Sequence, residues 1–523
     1  MSEKSKDQLC RGSVSDSYMA QQSDSYKSWY AAGAVVLLAA VYTWLLHEFG
    51  WFTCVLLAPT PDEITWSNSN WQEIEEGSLF ILSAYEDRRF QPHYVRIMGM
   101  ESLGPAQQTK DQPVNVSAIE EHELTCVLWY DNGKRDVVAA ERRTMHKQRT
   151  IYDGSITYMA YLYSCPIPAA RETPPSRVSL TFDVCERITN VVNVTSYGPS
   201  KKLHDPDQER DSAAGRTAPP SDKIALCLKP LNFPTKDIAL RLAEWIEIQR
   251  LQGVDVIFTY VYDVTDTAMV VLRQYQQRNI VDFVIAMLPD RLPGNGKARE
   301  KFLRRTSMQL QLTEKVVLND CFYRHLAYDY VSVIDLDEVI VPRQHHTLTE
   351  MLDNLRDVTV TVPKNAGVAD GGGESQLAPP CASYCFRQSM FLDEFHQQDH
   401  DDIPEYLHVM QHTNRSMYVL TKNELSVKSL CSTRGVIVLG NHGPYQVATG
   451  YKDRCYVNRK MALLHHYRNS CNIIHNIQRS SECNKTKSDT IQEDNMIWKY
   501  LDPVRQRVEQ MAFDCWQSRE NSA

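Results

Sequence analysis

Residues 331–341 read VSVIDLDEVIV, and the fold turns on how this stretch is read. Val331-Ser-Val-Ile334 has the character of a buried strand. It runs straight into Asp335-Leu-Asp-Glu338, and a second apolar run, Val339-Ile-Val341, follows. Side chains alternate faces on an extended backbone, so Asp335 and Asp337 are expected to point the same way. Two carboxylates side by side at the end of a hydrophobic strand repel each other and resist desolvation. A divalent cation relieves both problems. Hard oxygen ligands suit Mg²⁺ or Mn²⁺, ions that share their shell with substrate phosphates. Acid-x-acid is common by chance, and it is the strand-end position that points to metal. The plain alternative is a turn that carries exposed acids.

Outward from this stretch, strand and helix alternate. Apolar runs at 224–228, 254–262 and 280–288 predict strands. Helical spacing of Ile238, Leu242, Trp245, Ile246 and Ile248 predicts a helix capped by Thr235 and ended by Gly253. Further helices are expected over 267–279 and 306–326. Four such alternations predict an α/β domain with a doubly wound, mostly parallel sheet, whose ligands sit beyond the carboxyl ends of its strands. Asp263 and the acidic pair fall there. Before Lys223 the pattern is different: short extended runs separated by turn signals predict an antiparallel β-rich, sandwich-like domain over 76–198. Residues 199–222, charged and rich in Pro, Ser and Ala, read as a linker. The glycine-rich stretch 366–374 is either an active-site flap or a tolerated insertion.

The chain has 523 residues, 43% hydrophobic and 23% charged, enough for two or more domains. A net charge of −9 argues against a nucleic-acid partner. Trp29 to Leu46 is an unbroken apolar run of 18 residues, just long enough to span a bilayer. Lys27 precedes it and no Lys or Arg follows until Arg88, which places the N-terminus in the cytosol and the bulk of the chain in the lumen. A cleaved signal peptide fits less well, since no clear small-x-small site follows. The expected order is a cytosolic tail (1–28), a transmembrane signal anchor (29–50), a stem (51–75), the β-rich accessory domain (76–198), the linker (199–222) and the catalytic domain (223–515). Setting aside Cys10 and Cys54 leaves twelve of the 14 cysteines on the lumenal side, an even number that could pair fully as disulfides. Sequons at Asn115, Asn193, Asn414 and Asn484 all lie on that side. The spacing Cys381-x₃-Cys385-x₁₀-His396-x₃-His400 imitates a zinc finger. Its central gap is short and the compartment favours disulfides, so these cysteines are expected to form disulfides instead.

Several runs together resemble glycosyltransferase family 92. Cys227-Leu-Lys-Pro-Leu231 is similar to its opening strand; Glu244-Trp-Ile-Glu247 with Leu251-Gln-Gly-Val254 to its first helix and turn. Asn319-Asp-Cys321 followed by Val333-Ile-Asp-Leu-Asp-Glu338 resembles its central signature. Lys428-Ser429, Asn441-His442 and Leu464-His-His-Tyr-Arg468 resemble its C-terminal markers. The resemblance covers roughly 223–470. It implies a GT-A fold and an inverting transferase, typically using UDP-galactose and Mn²⁺ (or Mg²⁺) to make β-1,4 linkages. It also implies a single-pass type II protein of the Golgi membrane, acting on glycoprotein or oligosaccharide acceptors that include core fucose. Oligomerisation is left open.

Candidate roles follow. Asp337 is the first choice for direct metal ligation, with Asp335 on metal or ribose. By resemblance His466 is the third metal ligand, with His465 and His442 behind it. Asp263 either accepts hydrogen bonds from uracil or ribose, or simply starts a turn. Asn319 is placed with the donor-binding residues, against the alternative of a polar helix position. Lys428 either faces the diphosphate or is a solvated lysine. Glu338 supports the metal site from behind. Inversion needs a base on the acceptor side, and Asp393, Glu394 and Glu405 are candidates that the sequence does not separate. Two other classes compete: a glycan-binding membrane protein of the same fold without catalysis, and a metal-dependent phosphodiesterase or nuclease, against which the negative charge argues.

Overall fold

The computed structural model describes residues 57–74, 77–103, 114–115, 123–146, 150–151, 157–196, 222–290, 292–294, 296–305, 307–360, 379–395, 400, 402–416, 427–470 and 491–520. The proposed anchor, the linker, the glycine-rich stretch, His396 and Asn484 lie outside the described residues. Among those described, no helix is long and apolar enough to cross a membrane. Residues 58–183 and 188–523 make up one compact unit, to which both large sheets belong.

The N-terminal sheet has nine strands, all paired antiparallel except Val192–Thr195 with Leu79–Asp87. Its strands follow one another in a continuous order that curls. Its outermost strands, Arg135–Ala139 and Glu141–Thr144, are separated in sequence by Ala140 alone, so the two ends of the sheet must come round to each other. The Cys126–Cys165 disulfide links two of its strands.

The second sheet orders its strands Val281–Ile285, Val256–Val264, Ile224–Phe233, Tyr330–Ile334, Val427–Ser432, Ser383–Leu392, Ala462–Arg468, Glu338–Pro342. The first four are mutually parallel, as the alternation with helices predicts. The sheet as a whole is mixed: Val427–Ser432 and Glu338–Pro342 run against the rest. Six strands therefore point the same way, and their carboxyl ends share one edge. The central strands are buried on both faces. Ala225 and Cys227 join the core shared with the N-terminal sheet, while Ile224, Leu226 and Leu228 join the core under the helices Ala239–Leu251, Asp266–Gln277 and Leu501–Glu520.

Local signals explain the helix ends. Gly253, at φ +85°, closes the first helix. Thr235 does not cap it; the helix begins at Ala239, whose N–H is taken by the Asp237 carboxylate. Thr265 accepts the Ala268 N–H and starts the second helix. The basic stretch after Gly296 is itself helical, over Gly296–Arg305.

One buried carboxylate ties the two sheets together. Asp320, on the helix Ser307–Arg324, accepts hydrogen bonds from Ser83, from Tyr85 (2.6 Å) and from Tyr260 (2.6 Å). Ser83 and Tyr85 belong to the N-terminal sheet and Tyr260 to the second. Burial pushes the hydroxyls of Tyr85 and Tyr260 well up, and the Asp320 charge adds to this, so both stay protonated and donate.

Candidate active site

The acidic stretch does not continue the strand. Tyr330–Ile334 ends at Ile334, residues 335–337 turn, and the Glu338 N–H closes the turn on the Asp335 carbonyl at 3.0 Å. The face alternation expected for an extended Asp335 and Asp337 therefore does not apply. The turn brings both to the same place by another route: they line a cleft of about 390 Å³ together with Lys229, Lys236, Arg241 and Arg468. This cleft lies at the shared carboxyl edge of the strands, the expected position for a ligand in such a sheet.

The two aspartates differ. Asp335 is clamped, with Oδ2 2.7 Å from Lys428 Nζ and Oδ1 3.2 Å from Lys229 Nζ. Lys428 also reaches Glu338 at 3.2 Å and the Asn441 side-chain carbonyl at 2.6 Å. Lys229 is shared with Glu314 at 3.3 Å. Burial pushes the Asp335 carboxyl up, but Lys229 and then Lys428 outweigh it and hold it well below the usual range. Asp337 faces His466, with Oδ2 3.2 Å from Nε2. Burial raises Asp337 and lowers His466; their mutual attraction reverses both shifts, leaving Asp337 low and His466 high. The Gln388 side-chain amide hydrogen-bonds His466 Nδ1 and fixes the ring. Behind the pair, burial raises the Glu338 carboxyl to about 7 against the pull of Lys428.

Of the late histidines, only His466 meets the acidic turn. His465, one residue earlier on the strand, points to the opposite face. There it stacks on Phe391 at 4.4 Å and hydrogen-bonds the Tyr467 hydroxyl at 3.0 Å. His442 Nδ1 sits 3.0 Å from the Val427 carbonyl.

Asp263 sits at the carboxyl end of its strand, 3.0 Å from the Arg299 guanidinium, but does not line the cleft. Asn319 is a correction. It is wholly buried, its amide donates to the Lys315 and Leu439 carbonyls, and it accepts the Leu439 N–H at 2.8 Å. These three bonds all go to backbone, which matches the alternative of a polar helix position that clamps Lys315 and Leu439. Lys428 is corrected as well. Its side chain is fully buried, neither solvated nor facing the cleft, and it positions Asp335 from behind.

Asp393 directly follows Leu392, which pairs with Arg468 of the cleft. Its carboxylate lies 2.6 Å from His412 Nε2. Glu394 and Glu405 are exposed, Glu405 in the turns before the short helix His408–Gln411. Sequence reasoning missed Lys229, Lys236, Arg241, Gln388 and Arg468 as site residues. Lys229 and Arg468 stand inside runs quoted above for their family resemblance, but nothing local marks Lys236, Arg241 or Gln388, which join the site only when distant elements are laid side by side.

Other motif residues act on the scaffold of this turn. Trp245 Nε1 donates to the Glu338 carbonyl and Gln252 to the Ile340 carbonyl, both at 2.8 Å. Glu244 receives the Val409 and Met410 N–H groups.

Cysteines depart from full pairing. Among the described residues, Cys227–Cys321 and Cys381–Cys455 are disulfides, whereas Cys385 and Cys431 are buried thiols. The zinc-finger spacing is thereby broken, since Cys381 is spent on Cys455 and Cys385 lies against the Ser429 hydroxyl.

An acidic turn and four cationic side chains share one cleft at the carboxyl edge of the parallel strands of the mixed sheet. Residues 222–508 match the family model "Glycosyltransferase family 92". The match spans more than half of the chain, and the chain belongs to this family: it is a glycosyltransferase, a class that takes a sugar donor and a glycan acceptor. No curated protein matches it in sequence.

Proposed function

We propose that this glycosyltransferase is of the GT-A type, inverting and metal-dependent, and moves galactose from UDP-galactose to a glycan acceptor in β-1,4 linkage, core fucose of N-glycans being one such acceptor. The observation that carries this is the pairing of an acidic turn with Lys229, Lys236, Arg241 and Arg468 in one cleft. A leaving UDP carries negative charge on its diphosphate, and Lys and Arg are the side chains that bind phosphate oxygens. Arg241 Nε is buried without a hydrogen-bond partner among the described residues, a donor available to an anion.

The residues also fit a divalent ion. Asp337, which lines the cleft, and His466 beside it present a carboxylate oxygen and an imidazole nitrogen 3.2 Å apart, a donor set that Mn²⁺ accepts. Both Asp335 oxygens are engaged by lysines, so in this reading Asp337 and His466 hold the metal and Asp335 organises the turn. Bound there, the ion would neutralise charge developing on the diphosphate. Asp393, beside Arg468, is our choice of acceptor-side base over Glu394 and Glu405. The apolar run 29–46, the sequons and the disulfides support a type II protein of the Golgi membrane.

The test is UDP release by the purified protein from a panel of UDP-sugars, with and without Mn²⁺, and the anomeric configuration of the product by proton NMR. Metal-dependent turnover, fastest with UDP-galactose and giving a β-linked product, is the expected result. Absence of metal-dependent release with every UDP-sugar would leave the non-catalytic glycan-binding protein as the better reading.

A further inference from the structure

A second set of ligating side chains lies apart from Asp337 and His466. Asp393, His408 and His412 each offer one ligand atom, and these three atoms lie within 4.8 Å of one another. His408 and His412 are spaced i, i+4 along the short helix, with ring centroids 4.5 Å apart. Asp393 comes from the end of the Ser383–Leu392 strand.

The hydrogen bonds of His412 pose a charge problem. Its Nδ1 lies 2.6 Å from the His408 carbonyl and its Nε2 2.6 Å from Asp393 Oδ1. A carbonyl only accepts, so Nδ1 carries the proton. A neutral imidazole has one N–H, which leaves the Nε2 lone pair facing a carboxylate lone pair. A proton, on the imidazole or on the carboxyl, must bridge this 2.6 Å contact, which is too short to hold a metal ion; an ion would replace that proton and move the two atoms apart. An N–H anchored on a backbone carbonyl, with the other nitrogen free, is how metal-binding histidines are oriented. His408 supplies an independent sign. Its Nδ1 is buried without a hydrogen-bond partner among the described residues.

We propose that Asp393, His408 and His412 form a second cation site, taking a transition-metal ion of the Zn²⁺ class. Two imidazoles and one carboxylate suit zinc. The groups facing the site set its strength. Arg241 and Lys236 are close enough to act on His408 and oppose another positive charge, Asp393 offsets one charge, and the Tyr467 ring edges against His412 at 5.9 Å. Filling the site takes Asp393 out of proton exchange, so an ion here would also restrain the acceptor side of the cleft. The binding itself does not depend on the transferase reading: zinc uptake and UDP release are separate measurements.

The experiment strips the full-length protein with chelator, then measures Zn²⁺ affinity by competition with a chromophoric chelator. It compares the wild type with D337N, D393N and H408Q. Asp393 is exposed and His408 half-buried, so neither change opens the core. We expect D337N to keep this zinc site, and D393N and H408Q each to weaken it by about 10–100-fold or more, the range for losing even a supporting partner of a ligand. Wild-type affinity in both D393N and H408Q overturns the proposal and leaves the proton as the bridge between His412 and Asp393. Loss of all zinc in D337N alone overturns it too.

Discussion

Lys428 sets its ammonium 2.7 Å from Asp335 Oδ2 although its own side chain is wholly buried. A buried lysine needs compensating partners, and Lys428 has two carboxylates of the acidic turn, Asp335 and Glu338, together with the side-chain carbonyl of Asn441. Replacing Lys428 by Met leaves Asp335 and Glu338 without their shared cation. Breaking a buried ion pair in this way costs about 3–5 kcal/mol. Chemical denaturation is expected to show a loss of that order. An unchanged midpoint would mean that the turn holds itself.

Asp337 and His466 are the pair assigned to the metal. Asp337→Asn and His466→Ala should each reduce Mn²⁺-dependent UDP release by about 10²–10³-fold, the usual cost of removing one preorganised electrostatic group. Raising Mn²⁺ should recover part of the loss. Full activity in both variants would place the metal elsewhere.

Arg241 lines the cleft, and its Nε is buried without a hydrogen-bond partner among the described residues. Arg241→Ala should weaken UDP binding by about 1.5–3 kcal/mol, the value of a charge-assisted hydrogen bond. Calorimetric titration with UDP would read this directly. Binding that is indifferent to Arg241 and also to salt would remove the diphosphate from this part of the cleft.

Glu244 links pH to stability. Burial raises its carboxyl from 4.5 to about 8, against the N–H groups it accepts from Val409 and Met410. Between these values the folded protein keeps a proton that the unfolded chain has released. This contribution is therefore whole below about pH 4.5 and fades as pH rises toward 8. Glu244→Gln should flatten that part of the stability profile, followed by urea unfolding at a series of pH values. An identical slope in the variant would assign it to other groups.

The Cys227–Cys321 disulfide closes a separation of 94 residues and ties the strand bearing Lys229 to the helix bearing Glu314. Removing it by paired Ala substitutions should cost about 4–5 kcal/mol on the loop-entropy account. A smaller shift in the denaturation midpoint would indicate that the Lys229–Glu314–Asp335 network already holds the two elements together.

What the amino-acid order determined unaided was local and periodic. The apolar run at 224–228 and the largely apolar Val331-Ser-Val-Ile334 marked strands buried on both faces, because such runs are stable only with packing on both sides. Gly253 and Thr265 marked helix ends through backbone conformation and side-chain capping. The acids at 335–338 stood out because charge at the end of a buried strand is costly without a partner. Tertiary structure alone decided which partner. Lys428 lies 93 residues from Asp335 and His466 lies 129 from Asp337, and both arrive through strand register, which packing of the whole sheet selects. A lysine destined for the interior reads the same as a surface one, and an asparagine that clamps backbone, as Asn319 does, reads the same as one that binds a ligand. The difference lies in burial and in the orientation of neighbouring carbonyls, which no short stretch of sequence contains.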